Sequence, residues 1–225
     1  MSAACLVVAI DGPSGSGKSS VSRRVALTKG WQYLDTGAMY RAVAAWMLAH
    51  AIDVNDSVTV AATVERPVLV ISTDPADVQV SIDGRDVTAE IRTASVTAAV
   101  SAVSAVPEVR AKLVGLQQRA VASALGQGQG IVVEGRDIGT VVLPDADLKI
   151  YLTADHTERA RRRADEIADG EVAATADAIA TRDEADSTRA ASPLLQADDA
   201  VVIDATDLSF DDVVARVLDL VARRG

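Results

Sequence analysis

A single cysteine in 225 residues rules out an internal disulfide. Cys5 is expected to be a small, buried strand residue. The only two histidines, His50 and His156, lie far apart and lack Cys or His neighbours at metal-ligand spacing. Both read as surface or helix-end residues. No apolar run approaches the roughly 18 residues a membrane-spanning helix needs. The N-terminus lacks a basic stretch followed by a long apolar one. Its apolar run leads straight into a glycine-rich loop, so it reads as a core strand and not as a signal peptide. Cationic side chains are also in deficit: 22 Lys and Arg against 32 Asp and Glu give a net charge of −10. That balance argues against nonspecific nucleic-acid binding, which needs a basic face. Internal repeats and low-complexity tracts are missing too. These absences leave a cytoplasmic globular protein as the expectation. A hydrophobic content of 49% suits one sizeable core, or one core with an insertion.

What is present starts with Gly12-Pro13-Ser14-Gly15-Ser16-Gly17-Lys18-Ser19. It follows the apolar run Cys5–Ile10 and precedes a predicted helix, Ser20 to Lys29, which Gly30 would close in a left-handed conformation. Strand, glycine loop, helix is the context that gives G-x-x-x-x-G-K-[ST] its meaning. Glycines let successive N–H groups turn inward around phosphate oxygens, and the helix start adds partial positive charge. Lys18 is placed to reach the β- and γ-phosphates, and the Ser19 hydroxyl to ligate Mg²⁺. A nucleoside triphosphate is therefore the expected ligand, with Gly12 to Ser19 and the adjoining Ser20 as its site. An acidic protein that binds phosphates must bring its arginines together in one cleft.

Trp31–Leu34 reads as a second strand, and Asp35 to Arg41 opens a helix whose apolar stripe is Met39, Ala42, Val43, Trp46 and Met47. Tyr40 and Arg41 face away from much of that stripe. They are either an exposed tyrosine and arginine at a helix start or contacts to a second substrate. Residues 66–92 break the βαβ rhythm. Val68–Ile71 and the alternating Val78–Ile82 read as strands, Asp83-Gly84 as a hairpin turn and Arg85–Thr88 as its return. A small inserted antiparallel subdomain is expected there. Helices follow from Thr93 to Ala105 and from Pro107 to the glycine loop at 126–130. Ile131-Val132-Val133 suits a strand buried on both faces of a parallel sheet, and it delivers Glu134-Gly135-Arg136-Asp137 to the edge where such sheets bind ligands. Leu148–Leu152 and Ala200–Asp204 complete the strands.

His156 to Ala168 reads as a helix carrying Arg159, Arg161, Arg162 and Arg163. Spacings of four, such as Glu158–Arg162, fit a solvated salt-bridged face. Beside a phosphate loop, a mobile lid delivering arginines is the better reading. Arg182, Asp186 and Arg189 would share a helix face, either as an ion-pair ladder or as part of a site. In the closing helix Ser209 is expected as cap, with Asp212 at the third position and Leu208 stapled onto Val213.

Together, Gly12–Ser19, Leu34–Arg41, Glu134–Val142 and the Arg182, Asp186, Arg189 set resemble the bacterial cytidylate kinases. The resemblance runs through nearly the whole chain in order. It includes the inserted β meander that separates this family from adenylate kinases. It implies an α/β P-loop NTPase-type three-layer fold: a five-stranded parallel sheet, the inserted antiparallel β subdomain and a helical lid. The chain would be one nucleoside monophosphate kinase domain over residues 1–225, with core 1–65 and 93–225, insert about 66–92 and lid about 155–190. The implied reaction moves the γ-phosphoryl group of ATP to CMP or dCMP, with Mg²⁺. Arg159 and Arg163 would join the ATP site. Thr36, Tyr40, Arg41, Ser101, Arg110, Arg136, Asp137, Arg182, Asp186 and Arg189 would form the monophosphate site. Within it Arg41 and Arg136 would hold the phosphate. Ser101, Arg110, Asp137 and Arg189 would read the base, and Arg182 and Asp186 would lie near the sugar and phosphates. Lys18, Arg136 and Arg182 would be the catalytic cations.

The chemistry of the residues agrees. Phosphoryl transfer needs positioning and charge neutralisation more than a covalent catalyst. A monophosphate acceptor is already anionic and needs no general base. A hydroxyl acceptor would call for a carboxylate base and fewer arginines. A guanine-nucleotide switch would need an Asn-Lys-x-Asp-type motif, which this sequence lacks. ATP and the cytidine monophosphates are thus the expected partners, without nucleic acid or membrane, and the chain is expected to be a monomer.

Overall fold

A computed structural model of the chain describes residues 5–166, 180–181, 183–188 and 192–224. Five strands form the central sheet: β1 (Val7–Asp11), β2 (Gln32–Asp35), β6 (Ile131–Gly135), β7 (Leu148–Thr153) and β8 (Val201–Asp204). Their order is β2-β6-β1-β7-β8 and every pairing is parallel. The chain leaves β1 toward one edge and later returns to the other. Its carboxyl end is therefore a topological switch point, where such sheets bind ligands.

The pleat sorts the apolar residues into two cores. On one face Val7, Ala9, Leu34, Ile131 and Val133 pack with α2 (Thr36–Ala49), α4 (Ala94–Ala105) and α5 (Pro107–Gly126). On the other, Val8, Ile10, Tyr33 and Val132 pack with α1 (Lys18–Lys29) and α8 (Phe210–Ala222). This is a three-layer α/β architecture. Gly30 closes α1 at φ 66°, where backbone N–H groups of the cap donate to the carbonyls of Ala26 and Leu27. Ser209 and Asp212 form the expected capping box of α8, and Leu208 and Val213 share one cluster.

A short helix, α3 (Ser57–Thr63), leads into an antiparallel sheet of β3 (Leu69–Ile71), β4 (Val80–Ile82) and β5 (Arg85–Asp86). Asp83 and Gly84 turn the hairpin with φ of 51° and 77°, the doubly left-handed geometry that Asp-Gly favours. This sheet has no separate core. Val80, Ile82, Val87 and Ile91 are buried in the same cluster as α2 and α4. Asp83 also accepts from Trp46 Nε1 (2.7 Å) and from the Val68 amide (2.8 Å), which pins the turn to α2.

Two expectations are corrected. Cys5 is exposed, because the sheet starts at Val7, whose amide donates to Asp147 instead of extending the strand backward. Tyr40 is buried, because α2 lies between the main sheet and the inserted one and is covered on nearly all sides. His50 ends α2 stacked on Trp46 (4.1 Å between ring centres), and His156 begins α6 (His156–Glu166). Among the described residues no helix is long and apolar enough to cross a membrane.

After β6 the chain enters a π-helical turn, Ile138–Val142. Its start is fixed by Asp11, which accepts the amides of Ile138 (2.8 Å) and Gly139 (2.7 Å). Burial raises the Asp11 carboxyl to about 6, against the pull of those two amides. An acid whose folded value is raised contributes most below its unfolded value of 3.8, and that contribution is lost as pH climbs through about 6. The loss amounts to about 3 kcal/mol. Urea unfolding at roughly pH 4, 6 and 8 should therefore show wild type losing more stability across the series than Asp11→Asn, by about that amount. Parallel pH profiles would rule this out.

Candidate active site

The phosphate loop joins β1 to α1 and lies against β7 and α6. A Cβ at Gly12 (φ 150°) would come within 2.0 Å of the Leu152 carbonyl oxygen, and one at Gly15 (φ 74°) within 2.6 Å of that of Arg159. Only glycine fits at either position. The first turn of α1 has no side-chain cap at Gly17, which leaves its amides directed at an incoming anion. Lys18 is buried, and its Nζ donates to the Pro13 carbonyl (2.8 Å) across the loop.

Beside it is a carboxylate that the sequence reading did not assign to the site. Glu134, at the end of β6, accepts from Ser19 Oγ (3.0 Å) at one oxygen and from the Tyr33 hydroxyl at the other. Its own carbonyl accepts from Thr36 Oγ1 (2.7 Å). Burial first, then the charge of Asp35, pushes the Glu134 carboxyl up to about 7, with Lys18 and the two hydroxyls pulling back. The available signal was an acid closing a buried strand at the sheet's ligand edge, directly before Gly135 and Arg136. The parallel pairing of β6 with β1 makes it the neighbour of the phosphate loop.

A cleft of about 630 Å³ opens from this point. Lys18, Ser19 and Glu134 line one end; Tyr40, Arg41, Arg110, Arg136, Asp137 and Asp186 line the other. Arg41 donates to Thr97 Oγ1 (2.9 Å) and reaches the Ile91 carbonyl (3.4 Å). Arg110 and Asp137 form a buried ion pair, each side chain 6% exposed. The Arg110 guanidinium also lies over the Tyr40 ring (5.4 Å) and donates to the Ser104 carbonyl (3.3 Å). Its Nε, although buried, has no hydrogen-bond partner. Arg136 spans the seam, donating to Asp186 (2.9 Å) and to the Gly12 carbonyl of the phosphate loop (2.8 Å). Ser101 is half-buried on α4, and its carbonyl accepts from Ser104 Oγ (3.1 Å). The α4 residues that line the cleft are Val100 and Ser104, the latter one turn beyond Ser101.

From α6, Arg159 donates to the Ser14 carbonyl (3.1 Å) and pairs with Asp183. Asp183 lies in the helical stretch that includes residues 180–181 and 183–188 (α7) and in turn accepts the Ser14 amide (3.1 Å). Arg162 is held by Glu158 (2.7 Å) and the Ala205 carbonyl (2.7 Å). The expected roles of Arg182 and Arg189, and of the Arg163 side chain, lie outside the described residues.

Among the described residues no three His, Cys, Asp or Glu side chains cluster as a metal cage. Ser19 and Glu134 offer two hard oxygen ligands at the phosphate loop. That donor set fits Mg²⁺, which takes few protein oxygens and completes its shell with phosphates and water.

The family model for cytidylate kinase matches residues 8–223. The cytidylate kinase of Streptomyces griseus subsp. griseus is 53% identical over 216 residues, covering 96% of this chain and 92% of that protein. Cytidylate kinase from Rhodococcus opacus is 54% identical over 229 residues, covering 100% of this chain and 98% of that one. That of Corynebacterium glutamicum is 48% identical over 225 residues, covering 98% and 96%. Among solved structures, a gluconokinase from Sinorhizobium meliloti superposes with a TM-score of 0.52 at 12% identity, over 98% of this chain and 93% of that one. At that identity the likeness extends to the fold alone. With a phosphate loop, a catalytic-type lysine and a match spanning both walls of the cleft, this chain is a kinase and belongs to the cytidylate kinase family.

Proposed function

We propose that the chain transfers the γ-phosphoryl group of ATP to CMP or dCMP. The observation that carries the acceptor is the Arg110–Asp137 pair under Tyr40. Cytosine presents an amino donor beside ring-nitrogen and carbonyl acceptors. Asp137 supplies an acceptor for the amino group, and the unpartnered Arg110 Nε a donor for the rest of that edge. Uracil would set a carbonyl against the carboxylate.

The loop amides and Lys18 bind the ATP phosphates, and Arg41 and Arg136 hold the acceptor phosphate. Ser101 and, beyond the described residues, Arg189 complete base reading. Asp186 and Arg182 serve the sugar and phosphates, and Arg159 and Arg163 serve ATP. One acceptor oxygen forms a bond to the γ-phosphorus as the bond to the bridging β,γ oxygen breaks and ADP leaves. The acceptor oxygen is anionic, so no protein group removes a proton. Arg136, bonded to the phosphate loop and to Asp186, is positioned to bring the two phosphates into line. Ser19 and Glu134 would hold Mg²⁺, which when bound supplies charge neutralisation at the β- and γ-phosphates. In this reading residues 1–225 act as one monomeric domain, with the insert at about 66–92 and the lid at about 155–190.

A coupled ADP-release assay with ATP, Mg²⁺ and CMP, dCMP, UMP, AMP or GMP tests it. Fast turnover is expected with the cytidine nucleotides only. Equal turnover of UMP and CMP would remove base reading from Asp137, and ADP release indifferent to every monophosphate would remove the acceptor site altogether.

A further inference from the structure

Most arginines along the cleft are committed to protein partners. Arg23 donates to the carbonyls of Pro75 (2.5 Å) and Ala76 (3.0 Å), and Arg24 lies over Phe210 (5.2 Å). Arg41, Arg110 and Arg136 are held as described above. Arg92 differs. It ends the 3₁₀ turn Glu90–Arg92 on the acceptor side of the cleft, is exposed, lines the cavity and has no side-chain partner among the described residues. Its backbone is well fixed: the Arg92 amide donates to Ala89, the next amide closes onto Glu90, and Ile91 beside it is buried in the core. Arg41 reaches the carbonyl of that same Ile91, so Arg41 and Arg92 extend from one anchoring point.

The charges facing Arg92 do not hold it. Asp35 caps α2 through the Ala38 amide, and Glu134 takes the Ser19 and Tyr33 hydroxyls. Arg92 is nonetheless close enough to Tyr33 for its charge to favour the tyrosinate. Tyr33 and Arg92 line the same cavity as Lys18 and Ser19. A guanidinium without a partner among the described residues, on a hydrogen-bonded turn and lining the same cavity as the phosphate-binding loop, is suited to a dianionic phosphate, which its planar fork can grip at two oxygens.

We propose that Arg92 is a further substrate-binding residue, which grips the acceptor's phosphate beside Arg41 and is not assigned by the sequence motifs. The inference rests on the reading of the chain as a nucleoside monophosphate kinase. With the Arg92 head bonded to none of the described residues, its replacement removes no hydrogen bond or ion pair among them. Its contribution appears only when an anion enters.

The test compares wild type, Arg92→Gln and Arg92→Lys, using whichever nucleoside monophosphate wild type turns over fastest in the panel above. For Arg92→Gln the KM for the monophosphate should rise about 10- to 100-fold, as for loss of a charge-assisted contact, while the KM for ATP stays within about twofold and the thermal midpoint within about 2 °C. Arg92→Lys should recover part of the loss through charge alone. A change confined to the midpoint, or an equal rise in both KM values, would mark the residue as structural and overturn the proposal. So would an unchanged KM for the monophosphate. A wild type that prefers a non-cytidine monophosphate refutes the cytidine reading while leaving the Arg92 comparison intact. A wild type that phosphorylates no monophosphate overturns both.

Discussion

Lys18→Ala should lower kcat by about 10³-fold or more while the protein remains folded. The side chain is buried beside the phosphate loop, and its Nζ donates to the Pro13 carbonyl (2.8 Å), a bond that contacts with ATP phosphates would replace. Its charge opposes the upward shift of both Asp11 and Glu134. The variant therefore loses the cation nearest the transferring group and leaves two buried carboxyls with less reason to ionise. A kcat within about tenfold of wild type, with ADP release still dependent on a monophosphate, would show that the charge is supplied elsewhere. Circular dichroism and a thermal midpoint near wild type separate this from unfolding. Lys18→Arg should rescue little, because a broad planar guanidinium does not reproduce the point charge that Nζ places beside the Pro13 carbonyl and Ser16 Oγ.

The second large effect concerns which base is accepted. Asp137→Asn should reduce kcat/KM for CMP about 10- to 150-fold, the range for losing a hydrogen bond to a charged group. UMP should gain or hold, since an amide can turn its NH₂ toward the uracil carbonyl. The ratio of the two substrates is the informative quantity, and it should fall by roughly two orders of magnitude. Asparagine is the variant of choice because it still gives Arg110 an oxygen to bond. Asp137→Ala would strand a buried guanidinium and cost about 3–5 kcal/mol of stability, confusing folding with recognition. An undiminished preference for CMP in Asp137→Asn would move base reading away from this pair.

The phosphate loop, the buried strands and the capping box were legible because each depends on residues close in sequence. So were the Asp-Gly turn and the left-handed close of α1 at Gly30. Other features depended on contacts across the chain. Glu134 joins the phosphate loop only through the register that sets β6 beside β1. The π-helical turn at Ile138–Val142 is started by Asp11, more than a hundred residues away in sequence. The seven-residue α3 buries only Val60, so it leaves no periodic stripe to read. Tyr40 lies off the apolar stripe that one sheet would cover, yet it is buried because α2 is covered by two. Asp183 accepts the Ser14 amide and pairs with Arg159, although nothing in its immediate sequence marks it. Its two contacts depend on where α6 crosses the phosphate loop, which no local spacing records.

The hairpin that shares its core with α2 has a mechanical consequence. Asp83 clasps Trp46 from the far side of the helix whose first turns carry Thr36, Tyr40 and Arg41. Lys112 of α5 likewise ties down the carbonyls of Val64 (2.6 Å) and Pro67 (2.9 Å), where the chain enters the hairpin. Helix, hairpin and the turn bearing Arg92 are thus braced as a single lever arm, with the acceptor-facing side chains at its tip. A lever cannot flex at one end and stay true at the other. The stiffness of three short strands that hold none of the acceptor-side residues at their own ends sets how accurately a phosphate is presented to the loop opposite.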